Sequence, residues 1–180
     1  IHLELSGGVV RPLGMEVVID HRVGRLRPTD FEQFYQGSWL IVYRPLAATL
    51  GDFDLAAEAV DEAMVRAYSR WSTVRKATNP EGWVYRVAYR WGIDRLRRRK
   101  RLRVLLPRLG SGDTDGERLV EPGLAAALDV LPIEQRAVVV LACAFDWPES
   151  EIADALSIRP GTVKSRLHRG LARLREEMGA

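Results

Sequence analysis

Apolar residues recur at three- and four-residue steps through most of this chain, the spacing of helices with one buried face. Phe31, Phe34, Tyr35 and Trp39 open the first series, with Thr29 or Asp30, just after Pro28, as its cap. Gly51-Asp52 interrupts it. Val60, Ala63, Met64, Ala67, Tyr68 and Trp71 then mark one face of a second helix, and Glu58, Asp61, Glu62 and Arg66 its opposite side. Ser72–Gly82 reads as a loop ending in Asn79-Pro80. A third helix is expected from about Pro80 to Arg101, with Val84, Val87, Ala88, Trp91 and Leu96 as its buried stripe. Glycines, Pro122 and short polar residues give Pro107–Gly123 the composition of a linker without a regular element. Helical spacing resumes from Leu124 to Met178. Val17-Val18-Ile19 is the one β-like run and is too short for a sheet.

The expected fold is therefore all-α: two small helical domains joined by a flexible linker, with no internal repeat. Residues 28–106 form the first domain, 107–123 the linker and 124–180 the second. Residues 1–27 are read as an N-terminal extension, disordered or not native, with Met15 as a candidate start. They carry none of the functional argument.

The second domain holds the sharpest motif. Ile152, Ala153 and Leu156 make the inner face of one helix, and Ala153 is small where a partner helix must come close. Ile158 plugs the turn. Pro160 suits the first position of the next helix, where a missing N–H costs nothing. Val163, Leu167, Leu171 and Leu174 form that helix's inner stripe, while Thr162, Ser165, Arg166 and Arg169 share its outer face, flanked by Lys164 and His168. Those side chains suit base edges and phosphates, and the helix N-terminus offers free N–H groups to an anion. Glu149–Arg175 thus reads as a helix-turn-helix whose second helix enters the major groove. An ordinary surface hairpin of helices shares the spacing but not the whole turn with this outer face.

Charge sharpens the picture. The net charge of the 180 residues is only +3, but its placement matters more than its sum. Arg86, Arg90, Arg95, Arg97, Arg98, Arg99, Lys100, Arg101, Arg103 and Arg108 fall within the third helix and its exit, with Asp94 the only acid among them. Like charges this dense repel one another, and a polyanion relieves the repulsion. Trp83, Tyr85, Tyr89 and Trp91 are interleaved, and unpaired bases stack on such rings. A solvated arginine face over an aromatic core is the plainer alternative; the density of arginine weighs against it.

Other chemistry is excluded. Cys143 is the single cysteine, which rules out a disulfide within the chain and fits a reducing cytoplasm; in its apolar run it reads as a small buried hydrophobe. His2, His21 and His168 lack ligand spacing, so neither metal nor cofactor is expected. No apolar run reaches membrane-spanning length and no signal peptide is evident. There is no phosphate-cradling glycine loop and no nucleophile–base constellation, so an enzyme is not expected.

Together these residues resemble the sigma-70 family of bacterial RNA polymerase sigma factors, specifically the small two-domain extracytoplasmic-function (ECF) group. The resemblance covers about Phe31 to Arg175. Leu131–Val138, Glu151-Ile152-Ala153 and Gly161–Arg169 look like region 4, which implies reading of the −35 element by Arg159, Thr162, Lys164, Ser165, Arg166, His168 and Arg169, and docking on the β flap of core RNA polymerase. Glu58–Ala67 looks like region 2.2, which implies that Glu58, Asp61 and Glu62 meet the β′ clamp helices. Pro80–Arg98 looks like regions 2.3 and 2.4. That implies promoter melting and −10 recognition by Asn79, Trp83, Arg86, Arg90, Asp94, Arg95, Arg97 and Arg98, with the loop Thr73–Asn79 capturing an extruded base. Promoter DNA and core polymerase are the implied partners, and an anti-sigma factor is a further candidate.

The sequence departs from the family's habit in places. Asp61 stands where Gln is usual, Ala57 where an acid is common, Arg90 where Asn is frequent, and Arg159 where a serine would cap the recognition helix. Two rival readings remain at this point. A stand-alone repressor or activator would bind a palindromic operator as a dimer. An adaptor would use the same helices only against protein.

Overall fold

The computed structural model describes residues 30–105 and 122–178. The N-terminal extension, the Val17–Ile19 run, the Thr29 cap and the linker up to residue 121 lie outside them. The helices are α1 (Asp30–Leu50), α2 (Phe53–Ser69), α3 (Trp71–Val74), α4 (Pro80–Leu105), α5 (Pro122–Asp129), α6 (Ile133–Val139), α7 (Glu149–Leu156) and α8 (Pro160–Met178). A π turn, Val140–Ala144, continues α6. No strand occurs among the described residues, as the all-α reading expects.

Local chemistry sets the boundaries. Gly51 closes α1 at φ +66°, a left-handed conformation that glycine adopts without a steric penalty. Asp52 then caps α2, its carboxylate accepting the N–H of Leu55 at 2.9 Å, a contact typically worth about 1 kcal/mol. Asn79 starts α4 in the same way, its side-chain oxygen accepting the N–H of Gly82 at 2.6 Å. Ser157 ends α7 at φ 54°, and the N–H of Ile158 returns to the carbonyl of Ala153 at 2.9 Å, which closes the turn of the helix-turn-helix.

In the first half α1, α2 and α4 pack around Val42, Leu46, Leu55, Val60, Met64 and Val84. In the second, α8 lies along α6, with Leu167, Leu171 and Leu174 against Leu128, Leu131, Val139 and Val140. Gly170 makes this approach close: a Cβ there would stand 2.6 Å from Cγ2 of Val139. The halves are not independent bodies. Ala137, Val138, Leu141, Ile152, Ala155 and Val163 join the same buried cluster as the first half. α4 lies against α7, and α1 against α6 and the π turn.

Several expectations change. Tyr68 is 66% exposed rather than buried. It stands in the last turn of α2, which ends at Ser69, beyond the last buried residue Ala67, and packs edge-on to Phe31, with centroids 5.0 Å apart. Tyr85, expected as a stacking platform, is fully buried and shares a hydrogen bond with the hydroxyl of Thr49 at 3.2 Å. Ser72–Val74 belongs to a short helix rather than a loop. Pro122-Gly123, read as linker, begins α5, since proline is tolerated in a first turn. Cys143 is exposed, because the π turn shifts the register of its apolar run.

Candidate nucleic-acid interface

Three surfaces contain the predicted site residues. The first is the outer face of α8. The carbonyl of Arg159 accepts the N–H groups of Thr162 and Val163 at 2.8 and 3.2 Å, so the helix begins at Pro160 with no side-chain cap shown from Arg159. Lys164, Ser165, His168 and Arg169 are exposed, and Thr162 and Arg166 half-buried. Arg169 lies back along the helix, its Nε donating to the carbonyl of Ser165 at 3.1 Å. Lys164 stands 3.7 Å from the carboxylate of Glu149 on α7. Val163 is wholly buried and fixes the rotation of the helix.

The second surface runs along α4. Asn79, Trp83, Arg86, Arg90, Asp94 and Arg97 follow one another at three- and four-residue steps and so share a stripe. Arg95 and Arg98 lie beside it and are exposed. The guanidinium of Arg95 sits 4.7 Å from the Trp91 ring centroid, a cation–π geometry. Nε of Arg86 is buried without a hydrogen-bond partner. Arg99 is tied to Asp52 at 2.7 Å, so not every cation of this helix is available.

The stripe faces the second half of the chain. The amide of Asn79 donates to the carboxylate of Glu151. Nη2 of Arg90 donates to Oγ of Ser157 at 2.9 Å. Nη2 of Arg97 is 3.9 Å from Oε1 of Glu134. Trp147 packs on Tyr85 with centroids 5.6 Å apart. Burial pushes the Tyr89 phenol up to about 12; the charge of Glu134 adds to this, and Arg166 and Arg97 oppose it. Sequence reasoning missed these partners. The available signal was charge: α6 and α7 carry Glu134, Glu149 and Glu151 in their first turns, opposite a cationic helix.

The third surface is the acidic side of α2. Glu58 is exposed. Glu62 is paired with Arg66 at 2.8 Å. Asp61 is half-buried, and its carboxylate accepts from Trp39 Nε1 at 2.8 Å and from the Tyr35 hydroxyl at 3.5 Å. Its visible bonds are to α1.

Family models decide what these surfaces belong to. Residues 27–102 match the family described as Sigma-70 region 2, and residues 123–174 match Sigma-70, region 4. The chain belongs to the sigma-70 family of RNA polymerase sigma factors. It is 32% identical over 154 residues to the RNA polymerase sigma-E factor of Streptomyces coelicolor, spanning 84% of this chain and 87% of that one. It is 31% identical over 140 residues to RNA polymerase sigma factor SigV of Bacillus subtilis, spanning 76% and 83%. With ECF RNA polymerase sigma factor SigL of Mycobacterium tuberculosis the identity is 32% over 154 residues, spanning 77% and 85%. These relatives set it in the ECF group.

The fold is shared with the sigma factor RpoE of Bartonella quintana, solved in complex with the anti-sigma factor NepR, at a TM-score of 0.70 and 19% identity, covering 84% of this chain and 98% of that one. CnrH, solved with the cytosolic domain of CnrY, gives 0.56 at 20% identity, covering 83% and 87%. α1 to α4 are thus region 2 and α5 to α8 region 4. The sigma factor serves promoter recognition by RNA polymerase, in a family of DNA-binding initiation factors. No described helix is long and apolar enough to cross a membrane.

Proposed function

We propose that α8 reads the −35 element through Arg159, Thr162, Lys164, Ser165, Arg166, His168 and Arg169. α4 and its entry hold the opened −10 strand through Asn79, Trp83, Arg86, Arg90, Asp94, Arg95, Arg97 and Arg98. The observation that carries this division is the pairing of two cationic surfaces on separate halves: the exposed outer face of a helix-turn-helix second helix, and a long arginine stripe with Trp83 and Trp91 beside it. The first has the form for a duplex groove. The second has the form for a single strand, with cations for the backbone and rings for unstacked bases.

Core polymerase is met at two places. Glu58 and Glu62 on α2 face the β′ clamp helices, and region 4 docks on the β flap. Asp61 contributes by fixing α1 against α2 rather than by direct contact. The chain makes and breaks no bond of a substrate: melting is driven by binding energy, because holding an extruded base offsets the few kcal/mol of unstacking. The protein works in the cytoplasm, where its template is. An anti-sigma factor is a candidate partner, in line with the complex in which the similar fold of the sigma factor RpoE was solved.

Run-off transcription with purified core polymerase tests the reading. Template-specific transcripts are expected with the sigma factor and not with core alone. Charge reversal at Arg166 and Arg169 is expected to abolish them without loss of core binding. Association with core no better than that of a control protein would overturn it.

A further inference from the structure

A DNA strand offers a protein two kinds of polar group. Its phosphate oxygens repel a carboxylate, whereas the N–H donors on its base edges bond to one. An acid fixed on a strand-binding surface therefore either meets a base donor or weakens binding. α4 carries two acids, Glu81 and Asp94. Asp94 is exposed. Glu81 is half-buried, and its Oε1 accepts the hydroxyl of Ser38 on α1 at 2.9 Å. Ser38 is only 3% exposed, so this bond is anchored inside the protein and holds the carboxylate in one place. Glu81 lies between Asn79 and Trp83, which open the series assigned to the single strand.

The space beside it suits a ring. Ile41, Thr78, Asn79 and Glu81 form the region 2 wall of an open cleft of about 320 Å³, a volume in the range of small-ligand pockets. Ile41 is half exposed and offers an apolar side chain to a flat face. The oxygen of the Asn79 side chain is taken by the N–H of Gly82, which leaves its amide nitrogen, here on Glu151, as the donor of this wall. An acceptor and a donor thus stand beside an apolar contact. The helix dipole also favours an acid in a first turn. That accounts for the charge of Glu81, but not for the buried hydroxyl that fixes it or the cleft it lines.

We propose that Glu81 is a specificity-determining residue, which accepts a hydrogen bond from the exocyclic amine of one base in the opened strand and so selects cytosine or adenine over thymine there. This rests on the reading of α4 given above. Thymine carries a carbonyl oxygen where those two bases carry the amine, and a carboxylate repels it. Ser38 is a positioning residue: it touches no base and acts by holding Glu81.

Holoenzyme assembled from the full chain and core polymerase is offered a random-sequence pool of single-stranded DNA, and the bound fraction is sequenced against that retained by core alone. The parent is expected to favour cytosine or adenine over thymine by about tenfold at one position. Glu81→Ala should lose the preference at that position and keep those at the others. Glu81→Gln, whose amide can donate to a carbonyl as well as accept, should tolerate thymine there. Ser38→Ala should lower the preference to about threefold at the same position. The selected strand with an abasic site at that position separates contact from structure. On it the parent and Glu81→Ala should bind within about twofold of each other, whereas a merely structural role leaves the variant weaker on both strands. Unchanged preference in Glu81→Ala, or an equal loss at every position, would overturn the proposal. Run-off transcription with Arg90→Ala and Arg97→Ala keeps the two levels apart. If those variants lose transcription while Glu81→Ala keeps the parental preference, the assignment of Glu81 fails and the reading of α4 stands. If they transcribe normally, the reading of α4 itself fails.

Discussion

The carboxylate of Asp61 accepts the indole N–H of Trp39 at 2.8 Å, joining α2 to α1 on the side of region 2 where acidic residues gather. The Tyr35 hydroxyl approaches the same carboxylate at 3.5 Å. An acid that looks like part of a docking face is thus a strut behind it. Asp61→Ala is expected to destabilise the protein by about 1–3 kcal/mol, the usual cost of stranding partly buried donors. Asp61→Asn, which keeps an acceptor oxygen, should recover much of that loss. Glu58→Lys should leave the thermal midpoint unchanged and weaken core binding. Thermal unfolding beside a core pull-down checks all three. An Asp61→Ala protein of parental stability that no longer binds core would assign Asp61 to the interface instead.

Asp61 also illustrates what a sequence can carry. Its acidity and its place on α2 are legible from spacing alone; its engagement with a tryptophan twenty-two positions earlier is not. The helix-turn-helix was legible because each part is local: Ala153 for close approach, Pro160 for the start, Val163 and Leu167 for the inner stripe. The arginine stripe was legible as composition. Its contacts with region 4 were not, because Glu151 and Ser157 lie 72 and 67 residues from their partners and no local rule links them. Tyr85 and Tyr68 failed for a related reason. Which aromatic on an amphipathic helix goes inside depends on the neighbour it meets, and that neighbour is set by tertiary packing.

The approach of α6 to α8 can be measured at Gly170. Alanine gains about 1 kcal/mol over glycine in a helix interior. Here its Cβ would stand 2.6 Å from Val139, whose branched side chain is itself buried. Overpacking of this kind costs about 1–3 kcal/mol, so Gly170→Ala is expected to be net destabilising by about 1 kcal/mol. Val139→Ala makes room, and in that background the same substitution should become neutral or stabilising. Chemical denaturation of the four proteins checks the sign. A stabilised single variant would mean that the helices pack less closely.

Alkaline pH should loosen region 2. Burial pushes the Tyr85 phenol well above its ordinary value of 10, only partly offset by its hydrogen bond with Thr49. Burial and Glu134 carry Tyr89 to about 12. Below pH 10 both the folded and the unfolded chain keep these protons. Between 10 and about 12 the unfolded chain releases them while the folded chain does not, so unfolding is favoured and stability falls as pH rises. Tyr89→Phe removes one such group and should flatten the decline. Denaturation midpoints across this range, with phenolate absorbance followed in parallel, check it; unchanged midpoints would show that neither phenol is shielded.

The outer face of α8 gives the most direct test of promoter contact. Lys164 is exposed beside the first turn, where a phosphate is held by position rather than sequence. Arg169 is laid along the helix by its bond to the carbonyl of Ser165, so less side-chain freedom is lost on binding. Lys164→Ala should weaken binding evenly across promoter sequences and reduce the salt slope by about 1. Arg169→Ala should cost about 1–3 kcal/mol and relax preference at one base position. His168→Ala should weaken binding less than Arg169→Ala, because an imidazole makes no bidentate contact with a base edge. Salt titrations of holoenzyme binding to a promoter fragment and to single-base variants separate these outcomes. A uniform loss for Arg169→Ala, with a reduced slope, would reassign it to the backbone and move base readout to Ser165 and Arg166.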